Sequence, residues 1–173
     1  ADPDRGIDPV EVGHGHIQDQ QVDMVTVLAA QVRDHLDEQR KGLVEVFTGN
    51  GKGKTSAAMG VVLRALGHDL KVCVIFFMKG NYPYGEKRTL SHFPNVTFSI
   101  FGGLAFVDPR HVKEEDKSEA KKALDAGHEA VMSGKYDLVV LDEVNVAVAW
   151  KLVELEDLIK LIEDKPDSVE LIL

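Results

Sequence analysis

Over the first two dozen positions, "ADPDRGIDPVEVGHGHIQDQQVD", proline, glycine and acidic residues follow one another without an apolar period, which predicts a flexible extension over 1–23. A helical period then sets in. Val25, Leu28, Val32 and Leu36 recur among polar residues, predicting an amphipathic helix from Met24 to Arg40 that covers part of the core or lies over a site. Beyond it, short apolar runs alternate with longer amphipathic ones. "GLVEVFT" (Gly42–Thr48) predicts a strand, "KTSAAMGVVLRALG" (Lys54–Gly67) a helix closed by its glycine, and "KVCVIFFM" (Lys71–Met78) a strand buried on both faces. "NVTFSIF" (Asn95–Phe101) predicts a third strand, Glu114–Gly134 a helix with one charged face, and "YDLVVLDE" (Tyr136–Glu143) a fourth strand. Leu155, Leu158, Ile159 and Ile162 mark a further helix stopped before Pro166, and "SVELIL" (Ser168–Leu173) a fifth strand. Alternation of this kind predicts an α/β fold with a mainly parallel sheet and helices on both faces, one domain over 24–173. A strand at the last residue leads us to expect that the chain lacks the C-terminal end of such a fold.

Composition narrows the partners. At 173 residues and 44% hydrophobic content the chain can bury a core of its own. Its net charge of −9 opposes non-specific attraction to nucleic acid, which rests on Lys and Arg neutralising phosphates. No apolar run approaches the roughly 18 residues that span a bilayer, so neither membrane nor nucleic acid is an expected partner, and a cytoplasmic location is expected. Cys73 sits alone within an apolar run and reads as a small core residue.

The chemistry concentrates in "FTGNGKGKTSAAMG", Phe47 to Gly60, which follows a predicted strand and opens a predicted helix. Glycines there allow backbone N–H groups to converge on an anion without Cβ clashes, and the helix N-terminus favours negative charge. Lys54 is placed to neutralise phosphate oxygens and the Thr55 hydroxyl to ligate Mg²⁺. The spacing departs from G-x-x-x-x-G-K-[ST]: counting back from Gly53 puts Thr48 where the first glycine is expected, with Gly49 one place late. The second half of such a site is an acid at the end of a neighbouring strand, and "LVVLDE" supplies Asp142 and Glu143 at the carboxyl edge. Glu143 is a candidate for metal ligation or for activating water; Asp142 is a candidate for orienting the metal's water shell.

Loop and acids alone indicate a Mg-ATP site and leave the reaction open. The stretches "FTGNGKGKTSAA", "LRALGH" (Leu63–His68), "FFMKG" (Phe76–Gly80), Gly85–Glu86 and "LVVLDEVN" (Leu138–Asn145) resemble the P-loop corrinoid adenosyltransferases, also called cob(I)alamin adenosyltransferases. The resemblance covers Gly42 to Leu173, and the loop variant Thr48-Gly49-Asn50-Gly51-Lys52-Gly53-Lys54-Thr55, with Ser56 after it, is the family's own form. It implies a P-loop NTPase-like (RecA-like) fold and transfer of the 5′-deoxyadenosyl group of ATP to the Co(I) of a corrinoid such as cob(I)alamin, with release of triphosphate, in adenosylcobalamin biosynthesis or salvage. It also implies Lys54 and Glu143 as catalytic residues, Thr55 and Glu143 as Mg²⁺ ligands with Asp142 behind them, and Arg64 and Asn50 near the nucleoside. On the corrinoid side it implies Lys79, Glu86 and a pair of aromatics after the third strand, here Leu104 and Phe106. The first of that pair is aliphatic, a departure that bears on corrinoid preference. A homodimer and a flavoprotein reductant are further implications of the family. The readings in competition are a P-loop ATPase or kinase acting on the γ-phosphate, and a carrier that binds corrinoid or nucleotide without turnover.

Overall fold

The computed structural model describes residues 42–80, 85–103 and 105–173. The predicted extension 1–23, the helix expected over Met24–Arg40 and Leu104 lie outside the described residues.

Five strands form one parallel sheet in the order β1-β5-β4-β2-β3. In chain order they are β1 (Val44–Glu45), β2 (Val72–Phe76), β3 (Val96–Ile100), β4 (Leu138–Asp142) and β5 (Glu170–Ile172). The helices are α1 (Lys54–Gly67), α2 (Gly85–Leu90), α3 (Glu114–Met132), α4 (Val144–Ala149) and α5 (Leu155–Asp164). Every residue of β2 and β4 is buried, as expected of central parallel strands covered on both faces. Alternate side chains serve opposite layers. Val139 and Leu141 pack with Ala123 and Leu124 of α3 and with Leu158 and Leu161 of α5. Leu138 and Val140 face the other way, onto Ala58, Val62 and Leu66 of α1.

Two expectations need correction. The strand predicted over Gly42–Thr48 is laddered only at Val44–Glu45, because its partner β5 is itself short. Extension beyond the ladder is still held, by Leu171 N–H donating to Leu43 O and Phe47 N–H to Leu173 O. Lys165, read in the sequence as part of a helix end, secures the same edge: its Nζ donates to Gly42 O and Val169 O, each at 2.8 Å. The second correction is that α2 and α4, six residues each, were not predicted. Both are shorter than the window over which a helical period becomes readable.

Sheet order positions the site. The chain runs outward from β1 to β2 and β3, then returns to place β4 and β5 between β2 and β1. The crevice at the carboxyl ends therefore collects the segment after β1 and the segment after β4, the arrangement in which open parallel sheets bind ligands.

Candidate functional site

The loop from Thr48 to Gly53 is exposed and leads into α1. Gly53 occupies the position before the first helical residue with φ 106° and ψ 1°, a conformation closed to other residues without strain. No side chain caps α1 and its first turn carries no acid, so its leading N–H groups are open to an anion. Lys54 curls back over the loop, its Nζ donating to Gly49 O at 2.7 Å and Gly51 O at 2.8 Å. The ammonium is thereby held above the same concavity that the N–H groups face.

Thr55 ties the loop to the acids. Its Oγ1 donates to Asp142 Oδ1 at 2.9 Å, so Asp142, rather than Glu143, is the carboxylate directly joined to the loop. Asp142 is 7% exposed and its Oδ2 accepts no hydrogen bond, although Lys79 Nζ lies 3.3 Å away. The lysine supplies charge at that distance without a donor alignment. The same Nζ is 3.6 Å from Glu143 Oε1. Glu143 turns the chain from β4 into α4 at φ 71°, a left-handed conformation that costs a non-glycine residue of order 1 kcal/mol or more. That turn re-aims the glutamate away from the strand.

Lys79 reaches the acids because its backbone is fixed. Its N–H donates to Phe101 O at 3.0 Å. At the adjacent Gly80, φ is 49° and a Cβ would sit 2.2 Å from Gly103 O, so two backbones cross where only glycine fits.

Two clefts meet at Glu143. The first is an open cleft between Phe47, Thr48, Gly49 and Lys54 on one side and Asp142, Glu143 and Asn145 on the other. The second is open and mainly apolar, with Phe77, Met78, Val107 and Trp150 in its wall; Lys79 and the 90% exposed Phe106 border it. Glu143 and Val146 line both. Sequence reasoning passed over Asn145 and Trp150. Asn145 is 8% exposed with an unpartnered Oδ1, and Trp150 Nε1 is likewise buried without a partner. A polar residue inside the apolar run "VNVAVAW" was the available signal for the first.

The structure thus brings together the loop residues Thr48 to Thr55, Asp142, Glu143 and Lys79, with Phe106 at the margin. Ser56 is exposed in the first turn of α1. Arg64 is exposed in the last turn, about 15 Å along the helix axis from Lys54. Glu86 is half-buried in the first turn of α2. Neither Arg64 nor Glu86 is joined to the loop or the acids by a hydrogen bond or ion pair among the described residues. No group of three or more His, Cys, Asp or Glu side chains forms a metal site among the described residues, and no helix there is long and apolar enough to cross a membrane.

Residues 40–173 match the family ATP:corrinoid adenosyltransferase BtuR/CobO/CobP. The chain is similar to the corrinoid adenosyltransferase of Escherichia coli strain K12, 33% identical over 144 residues, 83% of this chain and 71% of that protein. It is 34% identical over 142 residues to corrinoid adenosyltransferase CobA of Salmonella typhimurium, covering 79% of this chain and 71% of that one. Against the corrinoid adenosyltransferase of Pseudomonas aeruginosa the identity is 35% over 137 residues, 79% of this chain and 65% of the other.

Proposed function

The chain belongs to the ATP:corrinoid adenosyltransferase family, and on that premise we propose that it transfers the 5′-deoxyadenosyl group of ATP to the Co(I) of a corrinoid with triphosphate leaving whole. In this reaction the electron pair on cobalt forms the Co–C5′ bond while the C5′–O bond breaks and its pair departs on the triphosphate. Cobalt passes formally from Co(I) to Co(III). The nucleophile comes with the substrate, so the protein's contribution is to align C5′ with cobalt and to stabilise the leaving charge.

The observation that carries this reading is the junction at Glu143: a cleft bordered by the glycine-rich loop and Lys54 abuts an open, mainly apolar cleft bordered by Phe106 and Trp150. ATP lies with its triphosphate against the loop residues Thr48 to Ser56 and the open N-terminus of α1, and the Lys54 ammonium leaves the Gly49 and Gly51 carbonyls for phosphate oxygens. Arg64 serves the nucleoside. Phe106, with Leu104, Lys79 and Glu86, serves the corrinoid, and Phe106 excludes water and a lower ligand from cobalt.

The residues present fit Mg²⁺. The Thr55 hydroxyl and the buried Asp142 Oδ2, which accepts no hydrogen bond, stand beside the half-exposed Glu143, an all-oxygen set suited to a hard cation. Thr55 and Glu143 would hold the ion, with Asp142 orienting its water. When bound, it neutralises charge on the departing triphosphate. A homodimer, a flavoprotein electron donor and a cytoplasmic location, where ATP is available, complete the proposal.

The test is an anaerobic incubation of Mg-ATP with chemically reduced cob(I)alamin, following the corrinoid spectrum and separating the nucleotide products. A light-sensitive Co–C product with one triphosphate per turnover is expected. ADP with an unchanged corrinoid would instead assign a γ-phosphate reaction, and binding without product would assign a carrier.

A further inference from the structure

We infer that Lys79 is a built-in stand-in for the divalent cation: its ammonium occupies the charge position between Asp142 and Glu143 when no cation is present, and is displaced when one binds. The inference rests on the reading of Thr55, Asp142 and Glu143 as the cation-holding set, and deepens it by naming what that set holds beforehand.

The geometry carries the argument. Two carboxylates converge on one lysine nitrogen, at 3.3 Å from Asp142 Oδ2 and 3.6 Å from Glu143 Oε1. Asp142 is 7% exposed, and a charge buried to that degree calls for an opposite charge beside it. The lysine side chain, 16% exposed, answers that requirement, yet Asp142 Oδ2 makes no hydrogen bond with it. A permanent structural ion pair buried to this degree is normally completed by aligned hydrogen bonds. An unaligned one is easier to exchange.

The chain is built for that exchange. The backbone of Lys79 is pinned through Phe101 O and the close crossing at Gly80, so the Cα stays in place while the four-carbon stem swings. The stem has somewhere to go, because Lys79 also lines the apolar cleft beside Phe106 and Trp150. Asp142, by contrast, is held by Thr55 through its other oxygen and remains behind. Cation and ammonium therefore compete for the same two carboxylates, and each weakens the other's hold by the same factor.

The experiment is a titration of the full chain with Mn²⁺ alone, reading free Mn²⁺ by electron paramagnetic resonance, with neither nucleotide nor corrinoid present. Lys79→Met is expected to bind Mn²⁺ at least about tenfold more tightly than the wild type, since a competing charge a few ångströms away has been removed. Lys79→Arg, which keeps the charge, is expected to stay within about threefold of the wild type. A lysine needed merely for structure would give the opposite sign, weaker binding in the methionine variant. Equal or weaker binding in Lys79→Met overturns the inference alone; Mn²⁺ binding by neither protein overturns it together with the cation-site reading. A second measurement needs no variant: acetylation of Lys79 in the wild type, referenced to the exposed Lys160, should rise when Mn²⁺ is added. Unchanged or reduced labelling overturns the displacement.

Discussion

Replacing Thr55 by valine keeps a β-branched side chain of similar outline at the start of α1 and deletes the hydroxyl that donates to Asp142 Oδ1 at 2.9 Å. Because Oδ2 already lacks a hydrogen bond, the variant leaves a 7% exposed carboxylate with no donor on either oxygen and the Lys79 charge as its remaining partner. A hydrogen bond to a charged group contributes about 1.5–3 kcal/mol net. The contact is part-buried and beside an open cleft, so water recovers some of that, and we expect a loss near the lower end, about 1.5 kcal/mol. For a chain of this size the corresponding fall in Tm is about 3–6 °C. Urea unfolding measures it directly: the midpoint should move down at unchanged slope, while Thr55→Ser, which retains the donor, should stay within about 0.5 kcal/mol of the wild type. Combining Thr55→Val with Asp142→Asn should cost less than the sum of the two single changes. A valine variant as stable as the wild type, with strict additivity in the double variant, would refute the claim that this bond ties the loop to the acids.

The loop lysine should behave differently. Lys54→Ala removes two exposed hydrogen bonds that water can replace, so stability should change by less than about 0.5 kcal/mol, whereas adenosyl transfer should fall by about a hundredfold or more; unchanged turnover would remove Lys54 from the mechanism. Gly80→Ala places a Cβ 2.2 Å from Gly103 O at φ 49°, so a loss of at least about 1–3 kcal/mol is expected in urea unfolding, and a fully stable variant would show that the two backbones do not cross so closely. Burial pushes the Cys73 thiol up to about 11. The unfolded thiol ionises near 8.5, so the unfolded chain binds fewer protons above that pH and stability should fall as pH rises from about 8.5 toward 11. Cys73→Ala should lose this component of the slope, and a thiol reagent at pH 8 should react with the wild type quickly only after denaturation. Rapid labelling of the native protein would contradict the burial.

The parts of the fold legible in the sequence are those whose burial is set locally. Helix α1 was read from Lys54 to Gly67 and is found there, because loop glycines mark its start and a left-handed turn after Gly67 its end. The strands β2 and β4 announced themselves as continuous apolar runs, since both of their faces are covered. Strand β1 was overread: its alternating apolar residues continue past the two that have a ladder partner, and pairing length depends on a strand more than a hundred residues away. The loop and both acids were readable from local spacing. The ion pair from Lys79 to those acids was not. It depends on β2 and β4 being neighbours in a register that sets Phe76 opposite Asp142, which brings the residues just beyond each strand end together. Asn145 and Trp150 were missed for a related reason: in the apolar run of α4 and its end, a buried polar atom gives no sign of whether a partner lies across the fold.

Strand β5 has one more consequence, for the order in which the molecule comes into being. The loop strand β1 pairs with β5 and not with β4, and β5 is what joins the loop side of the sheet to the acid side. During synthesis the loop emerges early, followed by Lys79 and then Asp142 and Glu143, yet the ladder that places them around one crevice is incomplete until Glu170–Ile172 has left the ribosome. Until then β1 and β4 present open edges to whatever else is nearby. A nascent chain stalled before that point has the loop, Lys79 and both acids but lacks the strand that joins β1 to β4 within the sheet. Among the described strands, the ladder that seats β1 is therefore the last to form.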